Sequence, residues 1–282
     1  MARVKIVTDS TADIPPEVAR ELDIAVVPLY VHFGEDVYKD GVDLTPQEFF
    51  EMLTKSRHNP TTSQPSPGDF LEVYKAAKDY DGVLSIHISS KLSGTYNSAV
   101  SARDMLPEMD IRVVDSKGAS MVFGLIAIEA AKAAKRGESL DEICALVEKT
   151  IAKAKVFFAV DTLDYLHRNG RIGKAQHLLG SLLNFKPILT LEDGYVTSFD
   201  KVRGKNKVIP RLVELLRERI GAGGKIKTAV VHSVAAEAAA ELAGEVKKNF
   251  QVEEMYITSL GAVIGTHTGP GTLAVTAYPV DH

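Results

Sequence analysis

The chain has 282 residues, 45% of them hydrophobic and 25% charged, with a formal net charge of −4 and no tryptophan. That length buries a sizeable core without covalent staples, and it fits two lobes or one large α/β unit. The acidic balance argues against non-specific nucleic-acid binding, which needs a basic surface, and the single cysteine, Cys144, rules out an internal disulfide and fits a reducing cytoplasm. The opening "MARVKIVTDS" reads as a charged strand and a turn rather than a signal peptide, and no run approaches the ~18 apolar residues of a membrane span.

In chain order, "RVKIV" is a predicted strand, "PPEVARELD" a short helix, and "IAVVPLYVHF" a strand that Pro28 marks as an edge or a break. "EDVYKDGVDL" reads as an irregular hairpin. Thr45, Pro46 and Glu48 form a capping box that starts one helix, and Ser66, Pro67 and Asp69 start another. Between them "RHNPTTSQPSP" reads as a loop. "GVLSIHIS" is a strand, "GTYNSAVSARDML" a helix, "IRVVD" a strand, and "GLIAIEAAKAAK" and "SLDEICALVEKTIAKA" are two helices. This alternation implies crossovers and a mostly parallel sheet, with ligands outside the carboxyl ends of its strands. Residues 8–15, 89–95 and 61–66 then share one rim.

The second half changes rhythm. "KVFFAV" is a strand, "DTLDYLHRNGRIGKAQHLLGSLL" one or two short helices, and "KPILTLEDGYVTSFDKVR" a hairpin turning at Asp193-Gly194. A helix ("KVIPRLVELLRERI"), a strand ("IKTAVVHS"), an alanine-rich helix, a strand ("VEEMYIT"), the loop "SLGAVIGTHTGPG" and a last strand complete the chain. The expected fold class is α/β in two lobes. Residues 1–155 form a mostly parallel sheet flanked by helices, residues 156–282 a mixed α/β sheet, and the ligand lies between them.

No familiar catalytic pattern emerges. Asp9 follows the first strand, as a phosphoryl acceptor would, but the second aspartate of that chemistry is replaced by Thr11, so Asp9 reads as a turn and cap residue. The glycines at 261, 265, 269 and 271 match neither nucleotide-binding spacing. Ser93 is not in a nucleophile elbow, and the eight histidines show no zinc spacing. Hydroxyls and glycines recur instead: Ser10 and Thr11, Thr61 to Ser66, "LSGT" at a helix mouth, and His267 between Thr266 and Thr268. Free N–H groups at a helix start bind one anionic oxygen group, although, taken alone, Ser93 as a plain helix cap is the simpler reading. Phosphates would draw Lys or Arg. A single carboxylate is adequately held by hydroxyls and an imidazole.

At "IVTDSTADIP", "TTSQPSPGDF", "ISSKLSGTYNSA", "VVDSKGASMVFGL", "DTLDYLHRNGRIG" and "THTGPGTLAV" the chain resembles the DegV family of bacterial proteins, the fatty-acid-binding subunits of fatty acid kinase. The motifs come in the family's order and span nearly the whole chain. The resemblance implies a two-domain α/β protein, not itself an enzyme, that encloses one long-chain fatty acid. It would show the carboxylate to a separate ATP-dependent fatty acid kinase subunit, which makes the acyl phosphate for phospholipid metabolism. It places carboxylate binding on Thr62, Ser93, the Gly94 N–H and His267, with Ser10, Thr95 and Thr266 as further rim residues, and kinase docking on Arg203. It implies no cofactor, metal or nucleic acid, and at most transient membrane contact. The apolar runs "MVFGLIAI", "HLLGSLLNF" and "VFFAV" are the expected tunnel walls. The rivals are a stand-alone phosphatase or acyl hydrolase using Asp9 or Ser93, and a regulatory module with a small sugar or acid ligand.

Overall fold

A computed structural model describes residues 2–180 and 184–280. The first half runs β1 (Val4–Asp9), α1 (Pro16–Glu21), β2 (Ile24–Val27), β3 (Tyr30–Phe33), β4 (Asp36–Lys39), α2 (Pro46–Lys55), β5 (Thr61–Ser63), α3 (Pro67–Ala76), β6 (Gly82–His87), α4 (Thr95–Asp104), β7 (Ile111–Asp115), α5 (Met121–Lys135) and α6 (Leu140–Lys153). The second runs β8 (Lys155–Ala159), α7 (Asp164–Arg168), β9 (Phe185–Glu192), β10 (Tyr195–Arg203), α8 (Val208–Ile220), β11 (Lys225–His232), α9 (Ala236–Asn249), β12 (Gln251–Ser259), α10 (Ala262–Thr268) and β13 (Leu273–Pro279).

The first sheet is parallel throughout, in the order β2-β1-β6-β7, with Ile6 beside both Ile24 and Leu84. The second has six strands in the order β10-β9-β8-β13-β11-β12, and only β11 and β12 run parallel. The α/β class with one parallel and one mixed sheet is thus present. Its hairpin turns where expected, with Asp193 and Gly194 both at positive φ. Both expected capping boxes form, at Thr45/Glu48 and Ser66/Asp69.

The expected break at Pro28 is present: the chain leaves the first sheet there, and β3 joins a separate antiparallel sheet, β4-β3-β5. Two other local expectations need correction. The expected loop around Thr62 contributes the third strand of that sheet, with Thr62 opposite Val31. The expected loop at residues 259–271 contains α10, which places His267 in a helical last turn.

The two halves share a core through α5. Its sequence "MVFGLIAIEAAKAAK" is apolar nearly all round, and such a helix must be covered on every side. Phe123, Ile126 and Ile128 lie in one cluster with Ile6 and Leu84 of the first sheet and Ala229 and Val231 of the second. Gly124 permits the closest approach, because a Cβ there would lie 2.4 Å from the Ala12 carbonyl oxygen. Among the described residues no helix is long and apolar enough to cross a membrane.

Gly124→Ala is therefore expected to destabilise the fold by about 1–3 kcal/mol through overpacking. In α9, Gly244 has open space around its Cβ position, so Gly244→Ala is expected to be neutral or stabilising. Urea unfolding of the two variants checks the pair, and equal midpoints would overturn the account of α5.

Candidate functional site

A cavity of about 460 Å³ lies between α5, α10 and the second sheet, within the range of small-molecule sites. Its body is apolar, with Met121, Val122, Phe158, Leu191, Val231 and Ile264 on its walls. Thr268, Thr272 and Thr276 also line it, but their hydroxyls donate to the carbonyls of Ile264, Gly269 and Lys155 and add little polarity. Of the expected wall segments, the first supplies Met121 and Val122, and "VFFAV" supplies Val156 and Phe158. From "HLLGSLLNF" none of the described residues reaches the cavity, and residues 181–183 lie outside the described residues.

Polarity gathers at one end, where Thr62, Ser93, His267 and Arg171 line the same cavity. Thr62 Oγ1 and His267 Nε2 are 2.9 Å apart across 205 residues of sequence. His267 Nδ1 is buried without a hydrogen-bond partner in the protein. Burial, with a smaller contribution from the Arg171 charge, pushes the imidazole down from 6.5 to about 4, so the ring is neutral at physiological pH. Arg171 donates to the Leu92 carbonyl at 3.1 Å and the Asn169 carbonyl at 2.8 Å, which ties the second half to the loop that carries Ser93.

The Ser93 hydroxyl is 2.8 Å from that of Thr95 and accepts from the Thr95 N–H at 3.3 Å. Gly94, not Ser93, is the N-cap of α4. A Cβ on Gly94 would overlap the Gln64 amide, at 1.9 Å. Glycine here lets Gln64 lie flat and donate to Ser98 at 3.0 Å, which joins the Thr62 strand to the Ser93 helix. Gly94 itself is not among the residues that line the cavity. The expected rim residues are also set back from it. Ser10 accepts from the Leu29 N–H, Thr95 is buried beside Ser93, and Thr266 donates to the Ala262 carbonyl. Arg203 is exposed at the end of β10, away from the cavity.

Asp9 is wholly buried. It accepts from the Thr11 N–H at 3.1 Å, the Ile88 N–H at 3.1 Å and the Thr11 hydroxyl, and its other contact is His87 Nδ1 at 2.9 Å. His87 Nε2 contacts Ser85, which accepts from Tyr74. The order Asp-His-Ser is that of a nucleophilic triad, but all three residues are 0% exposed and no substrate atom can reach the hydroxyl. Ser93 has a threonine rather than a base as its hydrogen-bond partner. Among the described residues no cluster of His, Cys, Asp or Glu is arranged to hold a metal.

Two carboxylates absent from the sequence reading hold α10 in place. Asp13 accepts from the Gly261 N–H at 2.8 Å, and Asp40 accepts from the Ala262 N–H at 2.9 Å. The first half of the chain thus caps the helix on which the second half carries His267. Ser120, on the cavity wall, donates to Asp13. Burial raises the Asp13 carboxyl well above its ordinary value.

The model of the DegV family matches residues 3–280. The chain belongs to the DegV family. It is 38% identical over 274 residues to Protein DegV of Bacillus subtilis, covering 96% of this chain and 98% of that protein. A DegV family protein from Thermus thermophilus, whose structure is described as one of fatty acid binding, matches with a TM-score of 0.94 and 41% identity over 99% of this chain and 100% of that one. DegV of Bacillus subtilis, described as a fatty acid binding protein, matches with a TM-score of 0.89 and 36% identity over 99% and 100% of the two chains. A stearic acid-binding protein from Eubacterium ventriosum matches with a TM-score of 0.87 and 26% identity over 99% and 98%. These two DegV proteins of known structure are thus described as fatty-acid binders, and the third neighbour as a stearic acid binder.

Burial raises the Asp40 carboxyl from 3.8 to about 6 in the folded chain. Its stabilising contribution is complete below pH 3.8 and is lost as pH rises through about 6. Asp40→Asn is expected to remove this falling contribution, leaving that of Asp13 and the opposing rise with pH from the depressed His267. Urea midpoints at stepped pH check it, and a slope unchanged from the parent would overturn the assignment.

Proposed function

We propose that this DegV protein binds one long-chain fatty acid in the cavity and presents the carboxylate to a separate ATP-dependent kinase subunit, which forms the acyl phosphate. The observation that carries the reading is the one-ended polarity of the cavity: apolar walls closing on a hydroxyl, a neutral imidazole with an orphan nitrogen, and a guanidinium. An acyl chain buried at ~0.8 kcal/mol per methylene supplies ~10 kcal/mol gross before the costs of binding. A buried carboxylate needs donors. In this reading Thr62, Ser93 and His267 supply them, and Arg171 supplies the charge.

We assign phosphoryl transfer to the partner, because no glycine pattern in the chain matches a nucleotide-binding loop. Arg203 is exposed at the end of the hairpin's second strand and is free to meet a partner surface. A cytoplasmic setting fits the lone, half-buried thiol of Cys144.

Organic extraction of the purified protein, followed by mass spectrometry, is expected to return a stoichiometric fatty acid. A protein that is empty and also fails to take up added oleate would overturn the proposal. Thr62→Ala and His267→Ala are each expected to weaken retention about 10–100-fold, the range for losing a hydrogen bond to a charged group, with unfolding midpoints near the parent's. Arg203→Ala is expected to leave lipid retention unchanged and to slow phosphorylation by the kinase. A parental rate would remove the docking role.

A further inference from the structure

A second cavity of about 380 Å³ backs onto the first, and Val122, Val156 and Leu191 line both. Its lining includes the apolar Ile126, Ile151, Phe157 and Phe199 together with charges of both signs, Lys117, Lys155, Arg219, Glu192 and Asp193. At the shared wall the second sheet is unzipped. β8 and β9 pair only at Phe158–Leu189 and Ala159–Ile188. Continuing that antiparallel register would set Val156 opposite Leu191, two of the residues that line both cavities. There the ladder is replaced by one side-chain bond, Thr190 Oγ1 donating to the Val156 carbonyl at 2.7 Å. β13 still pairs the far edge of β8 along its length, from Lys155 to Ala159, so the opening is confined to one side of the strand.

A second irregularity faces the same space. The β9–β10 register slips between Ser198 and Asp200 and leaves Phe199 as the extra residue. The Phe199 ring packs edge-on against Phe157 at 5.0 Å and lies under the Arg219 guanidinium at 4.9 Å. Phe199 keeps the face that Ile188 and Phe157 share, and adds a second aromatic ring there.

We propose that the second cavity is a distal compartment of the acyl site, reached through the β8–β9 seam, and that it takes the methyl end of chains too long for the first cavity. The proposal rests on the fatty-acid reading above. Moving three apolar side chains and one hydroxyl opens the wall without breaking a backbone ladder. A polar ligand would gain nothing from Ile126, Ile151 and the paired aromatic rings, whereas a hydrocarbon end gains burial against all of them.

The test uses fatty acids with a photoreactive diazirine at the methyl end, bound to the unmodified protein. The docosanoic acid probe is expected to label peptides holding Ile151 or Phe199, and the tetradecanoic acid probe to label only walls of the first cavity, such as Phe158. Docosanoate label confined to the first cavity, or a protein that holds stearate but not docosanoate, would overturn the proposal. Failure to hold stearate at all would instead overturn the fatty-acid reading itself. As a second readout, Ile151→Trp is expected to leave stearate affinity unchanged. It should weaken docosanoate about fourfold for each methylene excluded, from ~0.8 kcal/mol per buried methylene.

Discussion

A helix that is apolar on every face has to be enclosed, and enclosing α5 is the constraint on which this molecule depends. Neither sheet can do it alone, because each offers one face. The parallel sheet covers one side of α5 and the mixed sheet the other, so residues far apart in the chain end in one hydrophobic cluster. Closure stops short of complete packing at the N-terminal end of α5. There Met121 and Val122 line a cavity as well as packing in the core, and the site is the unfilled part of the joint between the halves.

The polar end of that joint is built from both halves in a reciprocal way. Asp13 and Asp40 come from the first half and hold the N-terminus of α10, while α10 comes from the second half and delivers His267 to Thr62 in the first. Arg171 makes a further tie through the Leu92 carbonyl. Each link crosses the cleft, so the geometry of the Thr62–His267 pair is set by the same contacts that close the two halves on α5. Burial that keeps the imidazole neutral also keeps the Asp13 and Asp40 carboxyls high, because desolvation disfavours the charged form of acid and base alike. The ionised form of a ligand carboxylate would meet the same penalty, and donors already in place would offset it. The far wall is less firmly made. At Val156 and Leu191 a strand pair yields to one hydroxyl contact, and Phe199 lies beyond it against Phe157. The cavity is thus bounded by bonds from both halves at its polar end and by a short strand pairing at the wall opposite.

Much of this was legible in the sequence for local reasons. Capping boxes, the Asp193-Gly194 turn and the alternation of strand and helix depend on neighbours a few residues away, so the α/β class, the hairpin and most helices followed from pattern alone. The hydroxyls of Thr62 and Ser93 and the imidazole of His267 were legible as chemistry, and the ordered motifs tied them to one family. What the pattern could not carry was anything decided across the cleft. Asp13 and Asp40 look like ordinary turn residues in "TADIP" and "KDGVD", and Arg171 looks like a solvated charge. Gln64 gives no local sign that it covers Gly94, and Ser10, Thr95 and Thr266 look like rim hydroxyls although all three are engaged behind the wall. Only tertiary structure settled these, because burial and partner identity belong to residues brought together from opposite halves of the chain, and no local period in the sequence encodes that meeting.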